Sequence, residues 1–343
     1  MFLEQLGFTR DFQRVFSELE DATLLPARVA QAAFDRAQVW TEDGLATVHV
    51  PRSVVPRPVA GDFCAVDIRA AVVKRLLPRK QQFVRQAAGR RTEAQVIAAN
   101  VDVALLLMGL DADFNLRRLE RYLTMSYESG AEPVVLLTKA GLCSEVEARV
   151  GEVERIAPGV AVHAIDVVSG IEADVPSSFV GAGTTAVLLG SSGVGKSTLA
   201  NHLLRDTELP TASVRARDGR GRHTTTRREL LLIPGGGALI DTPGMRELAL
   251  WADPAALDQS FLDVAELAAH CRFRDCTHRE EPGCAVRAGV ESSDLDPGRL
   301  ESYGTLQREL ARHELRQRDH ERRSERRKHA RALRQRLREK GRS

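Results

Sequence analysis

A strand, a glycine-rich loop and a helix in immediate succession confine this chain to a narrow set of folds. Thr185-Ala186-Val187-Leu188-Leu189 is an uninterrupted apolar run, and Gly190-Ser191-Ser192-Gly193-Val194-Gly195-Lys196-Ser197 follows it. Thr198-Leu199-Ala200-Asn201-His202-Leu203-Leu204 then reads as a helix. The spacing is Gly-x4-Gly-Lys-Ser, in the strand–loop–helix setting that a phosphate-binding loop requires. Glycines let the backbone bend so that successive N–H groups and the helix N-terminus face a phosphate. Lys196 is expected to reach the β- and γ-phosphates, and the Ser197 hydroxyl to bind Mg²⁺. Gly190, Ser191, Ser192, Gly193, Val194, Gly195 and Thr198 complete the expected phosphate-binding set. An ordinary glycine-rich turn is the alternative, and the flanking strand and helix argue against it.

The surrounding chain has the matching texture. Val103–Met108, Val134–Leu137, Val160–Ile165 and Ala186–Leu189 are near-continuous apolar runs, as expected of strands covered on both faces. Helix-type segments, Leu116–Glu128 and Glu145–Ile156, lie between them, which predicts a doubly wound parallel sheet. Downstream, Ala238-Leu239-Ile240 runs into Asp241-Thr242-Pro243-Gly244. An acidic residue at a strand's end is placed to hold Mg²⁺, and Gly244 offers a backbone N–H beside the γ-phosphate. A simple Pro-containing turn has the same composition, but its position after a phosphate loop favours the functional reading. Between the two motifs, Arg215–Arg228 contains Gly219-Arg220-Gly221-Arg222-His223-Thr224-Thr225-Thr226. Flexible glycines with a Thr triplet suit a switch loop that orders when a Thr hydroxyl meets Mg²⁺ and the γ-phosphate; a solvated basic loop has the same look.

The N-terminal part differs. Phe8, Phe12, Val15, Phe16 and Leu19 suggest a short helical arm within residues 1–22. From Ala27 to Ile97 short β-type runs (ARVAQAAF, AQVWT, ATVHV, DFCAVDI, AVVKRLL) alternate with turn signals, predicting a small barrel of about five strands. Such a barrel either binds oligonucleotides or serves as packing.

GTP-binding domains normally carry a base-selecting Asn-Lys-x-Asp after the phosphate loop. Here the nearest candidate, Thr138-Lys139-Ala140-Gly141, precedes it at the end of the run Pro133–Leu137. That order implies a circularly permuted GTPase core, with Thr138 and Lys139 on the base side. At this point the chain resembles the RsgA family (also called YjeQ), the ribosome small subunit-dependent GTPases. The resemblance includes Gly89–Asp102 (GRRTEAQVIAANVD) and Asp113–Leu123 (DFNLRRLERYL), followed in the family's order by the phosphate loop, the His-Thr-Thr segment, Asp-Thr-Pro-Gly and a Cys/His cluster. It implies an α/β multidomain protein: an N-terminal OB-type β-barrel, a circularly permuted P-loop GTPase core and a C-terminal helical zinc-binding domain. The corresponding boundaries are 1–26 for the arm, 27–98 for the barrel, 99–250 for the GTPase, 251–312 for the zinc domain and 313–343 for a basic helical tail. It further implies action late in maturation of the small (30S) ribosomal subunit, with GTP hydrolysis stimulated by that subunit. The residues carried over are Gly190, Gly195, Lys196, Ser197, Thr225, Asp241 and Gly244, with Ser197, Thr225 and Asp241 around Mg²⁺.

Two positions bear on mechanism. Met245 follows Asp-Thr-Pro-Gly where many GTPases place a water-orienting Gln, and a thioether cannot orient water by hydrogen bonding. His223 is the candidate replacement, catalytic together with Lys196 and Thr225; contact with phosphate or RNA is its other reading. The base motif departs from the family pattern: Gly141 stands in place of the Asp whose carboxylate accepts from guanine N1 and N2, and Thr138 in place of Asn. The supporting Ser-Ala pair is hard to find in His163–Gly170 (HAIDVVSG). Two rival readings therefore stay open, an RNA-binding assembly factor with relaxed guanine specificity and little turnover, and an NTPase of broad base preference.

Of five cysteines, Cys64 and Cys143 are isolated, while Cys271, Cys276 and Cys284 crowd together with His278. An odd count with one histidine-containing cluster suits a reduced, cytoplasmic setting and a structural, tetrahedral Zn²⁺. Four incidental buried residues are the alternative. Arg272, Arg274 and Arg279 are either RNA contacts or solvated surface. The net charge of +2 conceals an asymmetry, because residues 313–343 carry 13 Lys and Arg against 5 Asp and Glu. Such a run is a solvated helix or disordered when free, and binds phosphate when ribosomal RNA is the partner. Val101–Leu110, the longest apolar stretch, is interrupted by Asp102 and too short to span a bilayer, and the N-terminus has no signal-peptide pattern. The expected partners are the small subunit with its rRNA and GTP or GDP, with no membrane; the expected state is a cytoplasmic monomer.

Overall fold

The computed structural model describes residues 2–86, 94–204, 229–241 and 253–340. Two helices, α1 (Phe2–Gln5) and α2 (Arg10–Ser17), precede β1 (Leu25–Ala32), β2 (Arg36–Thr41), β3 (Gly44–His49), β4 (Phe63–Asp67) and β5 (Val72–Leu76). These five strands close into a barrel in the order β1-β2-β3-β5-β4. The β2–β3 hairpin turns through Glu42 and Asp43 into Gly44, whose φ of +114° is costly for any side chain. Inward-facing Val29, Val39, Val48, Val66 and Val73 fill the interior, a use of β-branched residues that suits a pleated, half-buried surface. The arm packs on the barrel through aromatic rings, with Phe12 4.4 Å and Phe8 5.4 Å from Phe63.

One buried cation ties arm, barrel and sheet together. Arg28 of β1 is 1% exposed, lies over the Phe63 ring, and donates to the carbonyls of Gly61 (3.3 Å), Asn100 (2.9 Å) and Leu6. Burial pulls its pKa down to about 10, opposed by Asp102 and Asp62, so the guanidinium stays charged at neutral pH. Arg28→Met strips the donors from three carbonyls and is expected to cost at least about 2 kcal/mol, since buried unsatisfied groups cost ~1–3 kcal/mol each. Urea unfolding measures this, and an unchanged midpoint would mean that water takes over those carbonyls.

After a two-stranded sheet of β6 (Gln82–Gln86) and β7 (Ala94–Ala99), the chain builds the core domain. It contains β8 (Val103–Gly109), α3 (Leu116–Ser129), β9 (Glu132–Thr138), α4 (Val146–Ile156), β10 (Ala161–Ala164), α5 (Val175–Ser178), β11 (Thr185–Gly190), α6 (Lys196–Leu203), β12 (Glu229–Leu232) and β13 (Ala238–Asp241). The sheet order is β10-β9-β8-β11-β13-β12. Every pairing is parallel except β12 with β13. That antiparallel edge strand departs from the all-parallel reading. The link Ile233–Gly237 is too short for a crossover, so β12 must turn back on β13 as a hairpin. Gly237 sits in the turn at φ +85°, and a Cβ there would lie 2.4 Å from the Gly181 carbonyl.

Residues 85–95 and 249–343 form a second compact unit. Its helices are α7 (Pro254–Ser260), α8 (Leu262–Ala268), α9 (Ala285–Glu291) and α10 (Pro297–Lys340). Arg299 of α10, 3% exposed, donates to both Asp263 oxygens and to the Ser260 carbonyl while lying over Phe261. Tyr303, Leu306, Leu310 and His313 form one buried stripe at helical spacing on α10. Further along α10, Leu315 is 62% exposed. No helix among the described residues is long and apolar enough to cross a membrane.

Candidate nucleotide site and metal centre

The C-terminal ends of β8, β9, β11 and β13 converge on one edge of the sheet, where doubly wound folds bind ligands. β11 ends at Gly190, and a Cβ there would lie 2.7 Å from the Leu107 carbonyl and 2.9 Å from Val194. Only glycine permits that approach. Gly193 (φ +77°) and Gly195 (φ +105°) then take left-handed conformations, and Gly195 caps α6. Val194 points into the core with Leu199 and Leu203, which anchors the loop from below. Ser192, Ser197 and Thr198 remain exposed at the helix start. The Lys196 ammonium folds back onto the loop, donating to the carbonyls of Gly190 (2.8 Å) and Ser191.

Thr138, at the end of β9, donates its hydroxyl to the Val194 carbonyl at 2.7 Å. It thus ties the base-side loop to the phosphate loop. Lys139, in a left-handed conformation, pairs with Asp111 at 2.7 Å, and that lysine holds the Asp111 carboxyl below its ordinary range. Gly141 follows in a 3-10 turn, Ala140–Leu142. Asp241 ends β13, beside β11 in parallel register. His223 and Thr225 of the expected switch loop, and Gly244 and Met245, lie outside the described residues.

Sequence reasoning missed three acidic residues at this edge. Asp113 accepts from the Ser191 hydroxyl at 2.6 Å, from Arg118 at 2.8 Å and from the Gly109 amide at 3.2 Å, so it holds the first serine of the phosphate loop. Asp111 is the partner of Lys139. Asp166, after β10, accepts from the Gly141 amide at 3.2 Å. Asp113 was within a segment already singled out, DFNLRRLERYL, but nothing local to it marked its role.

In the second unit, Cys271, Cys276, His278 and Cys284 bring their ligand atoms within 4.8 Å of one another. Cys271 Sγ is 3.6 Å from His278 Nδ1 and 4.0 Å from Cys284 Sγ, and Cys284 Sγ is 3.5 Å from Nδ1. With Zn–S near 2.3 Å, a tetrahedral site needs sulfurs about 3.8 Å apart, which the spacing of Cys271, His278 and Cys284 approaches, with Cys276 near enough to complete the set. His278 adopts φ +60°. The loop that carries it is fixed by Glu281, which accepts from the Thr277 hydroxyl and the amides of Thr277, Arg279 and Glu280. Those donors, the Thr277 hydroxyl foremost, hold the Glu281 carboxyl far below its ordinary value. Burial pushes the His278 imidazole below its ordinary value, toward the neutral form that binds metals.

Comparison with known proteins places the chain in a family. The RsgA GTPase family model matches residues 76–251. A Streptomyces coelicolor protein named small ribosomal subunit biogenesis GTPase RsgA is 43% identical over 322 residues, covering 90% of this chain and 87% of that protein. One of the same name from Opitutus terrae is 42% identical over 331 residues, covering 91% and 90%. Small ribosomal subunit biogenesis GTPase RsgA 2 of Vibrio parahaemolyticus is 42% identical, covering 90% and 86%. Among solved structures, YjeQ from Thermotoga maritima shares the fold with a TM-score of 0.63 at 23% identity, over 84% of this chain and 99% of that one. YloQ, described as a circularly permuted GTPase, gives 0.60 at 22% identity, over 84% and 96%.

Proposed function

The chain belongs to the RsgA GTPase family, and from that premise we propose that it acts late in maturation of the small (30S) ribosomal subunit, as a cytoplasmic monomer whose GTP hydrolysis the subunit stimulates. The observation that carries this reading is the pairing of two loops at one sheet edge. A phosphate loop leaves β11, and a base-side loop leaves β9, an earlier strand of the chain; the Thr138–Val194 hydrogen bond joins them.

The proposed roles follow from position. Lys196 moves from the loop carbonyls to the β- and γ-phosphates when nucleotide arrives, and the backbone N–H groups from Ser191 to Ser197 line the triphosphate. Ser197, Thr225 and Asp241 would hold Mg²⁺, which would supply positive charge against the phosphates. Gly244 donates its N–H toward the γ-phosphate. His223 orients the attacking water in the place that Met245 cannot fill, and the ribosomal subunit fixes its position. Cys271, Cys276, His278 and Cys284 hold one structural Zn²⁺, and the barrel, this metal unit and the basic part of α10 contact rRNA.

The test is multiple-turnover hydrolysis of GTP and ATP, each with and without purified small subunits. GTP turnover is expected to rise at least tenfold with subunits, with little ATP turnover. Because the contacts are largely to phosphate, the stimulation should weaken steeply between about 50 and 200 mM salt. Subunit binding without stimulated turnover of either nucleotide would overturn the enzymatic reading in favour of a binding factor.

A further inference from the structure

Gly141 stands where a guanine-selecting carboxylate belongs, yet its backbone does not require glycine: its φ lies outside the left-handed region. The space around it does. A Cβ at Gly141 would lie 2.8 Å from Asp166 Oδ2 and 3.3 Å from the Ser169 hydroxyl. An aspartate's own carboxylate oxygens stand about 2.4 Å from their Cβ by covalent geometry. The Asp166 oxygen thus stands at nearly the separation from that Cβ at which an aspartate at 141 would hold its own oxygens, on a carboxylate carried by the β10 loop.

We infer that Asp166 is the guanine-specificity residue of this chain, its carboxylate supplying from the β10 loop the acceptor that the β9 loop lacks. This rests on the nucleotide site proposed above and names the group that selects its base.

Several contacts keep the carboxylate in place. The Ile165 amide donates to the Leu137 carbonyl at 2.8 Å and the Ala140 amide to the Ile165 carbonyl at 3.2 Å, which holds the two loops side by side. The loop closes on itself, with the Asp166 amide bonded to the Ile171 carbonyl and the Gly170 amide to the Asp166 carbonyl, both at 2.8 Å. Asp166 Oδ1 accepts from the amides of Val168 (3.0 Å) and Ser169 (3.3 Å), and Oδ2 from Gly141 (3.2 Å). Burial alone would raise the Asp166 pKa, but the Ser169 and Val168 amides, the Ser169 hydroxyl and the Gly141 amide outweigh it, so the group is ionised at neutral pH. An ionised carboxylate has about four lone-pair directions, and a hydroxyl rotor such as that of Ser169 can turn away to free one. Guanine presents N1–H and N2–H donors on one edge. Adenine presents no donor at those positions, so a carboxylate there rejects it.

The prediction uses a base swap that a purely structural role cannot imitate. Xanthine keeps N1–H but carries a carbonyl at C2. In Asp166→Asn the amide oxygen still accepts from N1–H and the amide nitrogen donates to that carbonyl. Affinities for GTP, XTP and ATP are measured on the full chain with Mg²⁺ by equilibrium binding. The unsubstituted protein should prefer GTP over both rivals. Asp166→Asn should weaken GTP at least about a hundredfold and strengthen XTP, a scale set by sites that pair buried hydrogen bonds. The relocating pair Gly141→Asp with Asp166→Ser should recover the GTP preference that Asp166→Ser alone loses.

Retained GTP preference in Asp166→Asn would overturn the assignment. So would an equal loss of all three nucleotides that the relocating pair does not rescue, since that marks a loop-holding role alone. An unsubstituted chain that binds GTP, XTP and ATP alike overturns this inference while leaving the phosphate site standing. One that binds none of them overturns the phosphate site, and this inference with it.

Discussion

Lys196→Ala is expected to reduce subunit-stimulated GTP hydrolysis by about 10²–10³ and to weaken triphosphate binding, without disturbing the fold. The lysine is the first residue of α6, and Gly195 caps that helix in a conformation closed to most side chains. Its ammonium now rests on the carbonyls of Gly190 and Ser191, so it is poised over the loop and its stem fills no part of the core. In the reaction, charge grows on oxygens that a cation seated beside them since binding offsets, and removing one such group costs about 10²–10³ in rate. Alanine is a good helix former, so α6 itself is not weakened. Single-turnover hydrolysis with purified subunits measures the loss, and circular dichroism confirms the helix content. Hydrolysis at the unsubstituted rate would refute the assignment of this loop as the catalytic phosphate site.

How much of this was legible in the sequence depends on how local each signal is. β8, β9 and β11 announce themselves because strands covered on both faces must be apolar throughout, and the three are buried along nearly their whole lengths. The phosphate loop was legible because its glycines answer local backbone demands at 190, 193 and 195. The β2–β3 hairpin and the break before β4 were legible because turn signals mark them, Glu42-Asp43-Gly44 and Pro56, Pro58 and Gly61-Asp62. β12 was not: four residues, Glu229–Leu232, give too short a pattern, and only Gly235–Gly237 hints that the chain turns back. β6 and β7 had no periodicity strong enough to mark them as a pair. Asp113 and Asp166 show a different limit, because what each does depends on a partner 78 or 25 residues away in the chain. At Gly141 the missing carboxylate could be read directly from the sequence. That a carboxylate from another loop stands beside the gap is a fact of apposition, and only the paired β9 and β10 ends reveal it.

Stripping zinc is expected to unfold the second unit while the sheet and barrel keep their order. Between α8 and α9 the chain runs from Ala269 to Cys284 with no helix or strand, held by a few turn hydrogen bonds and by the Cys271, Cys276, His278, Cys284 cluster. Cys284 also caps α9 by accepting from the Arg287 amide, so a metal held by the cluster would tie loop and helix together. The apolar core of this unit is small, chiefly Phe261, Val264, Val286, Leu295, Tyr303, Leu306 and Leu310. Structural zinc contributes roughly 10–16 kcal/mol in small metal-folded peptides, as much as the ~5–15 kcal/mol that holds a typical domain folded. Removing it leaves a core that cannot offset the ordering entropy of the loop. Metal analysis should find one zinc per chain, and Cys271→Ser should lose it. Hydrogen exchange after chelation should show lost protection across α8, α9 and the buried stripe of α10, with β8, β9 and β11 still protected. With the chelator removed and Mg²⁺ restored, nucleotide binding should survive the loss of zinc, because the proposed nucleotide site lies in the first unit; subunit-stimulated hydrolysis should not, because the second unit is then unfolded. Unchanged protection after complete removal of zinc would show that the four ligands are held by packing and that the metal is dispensable for the fold.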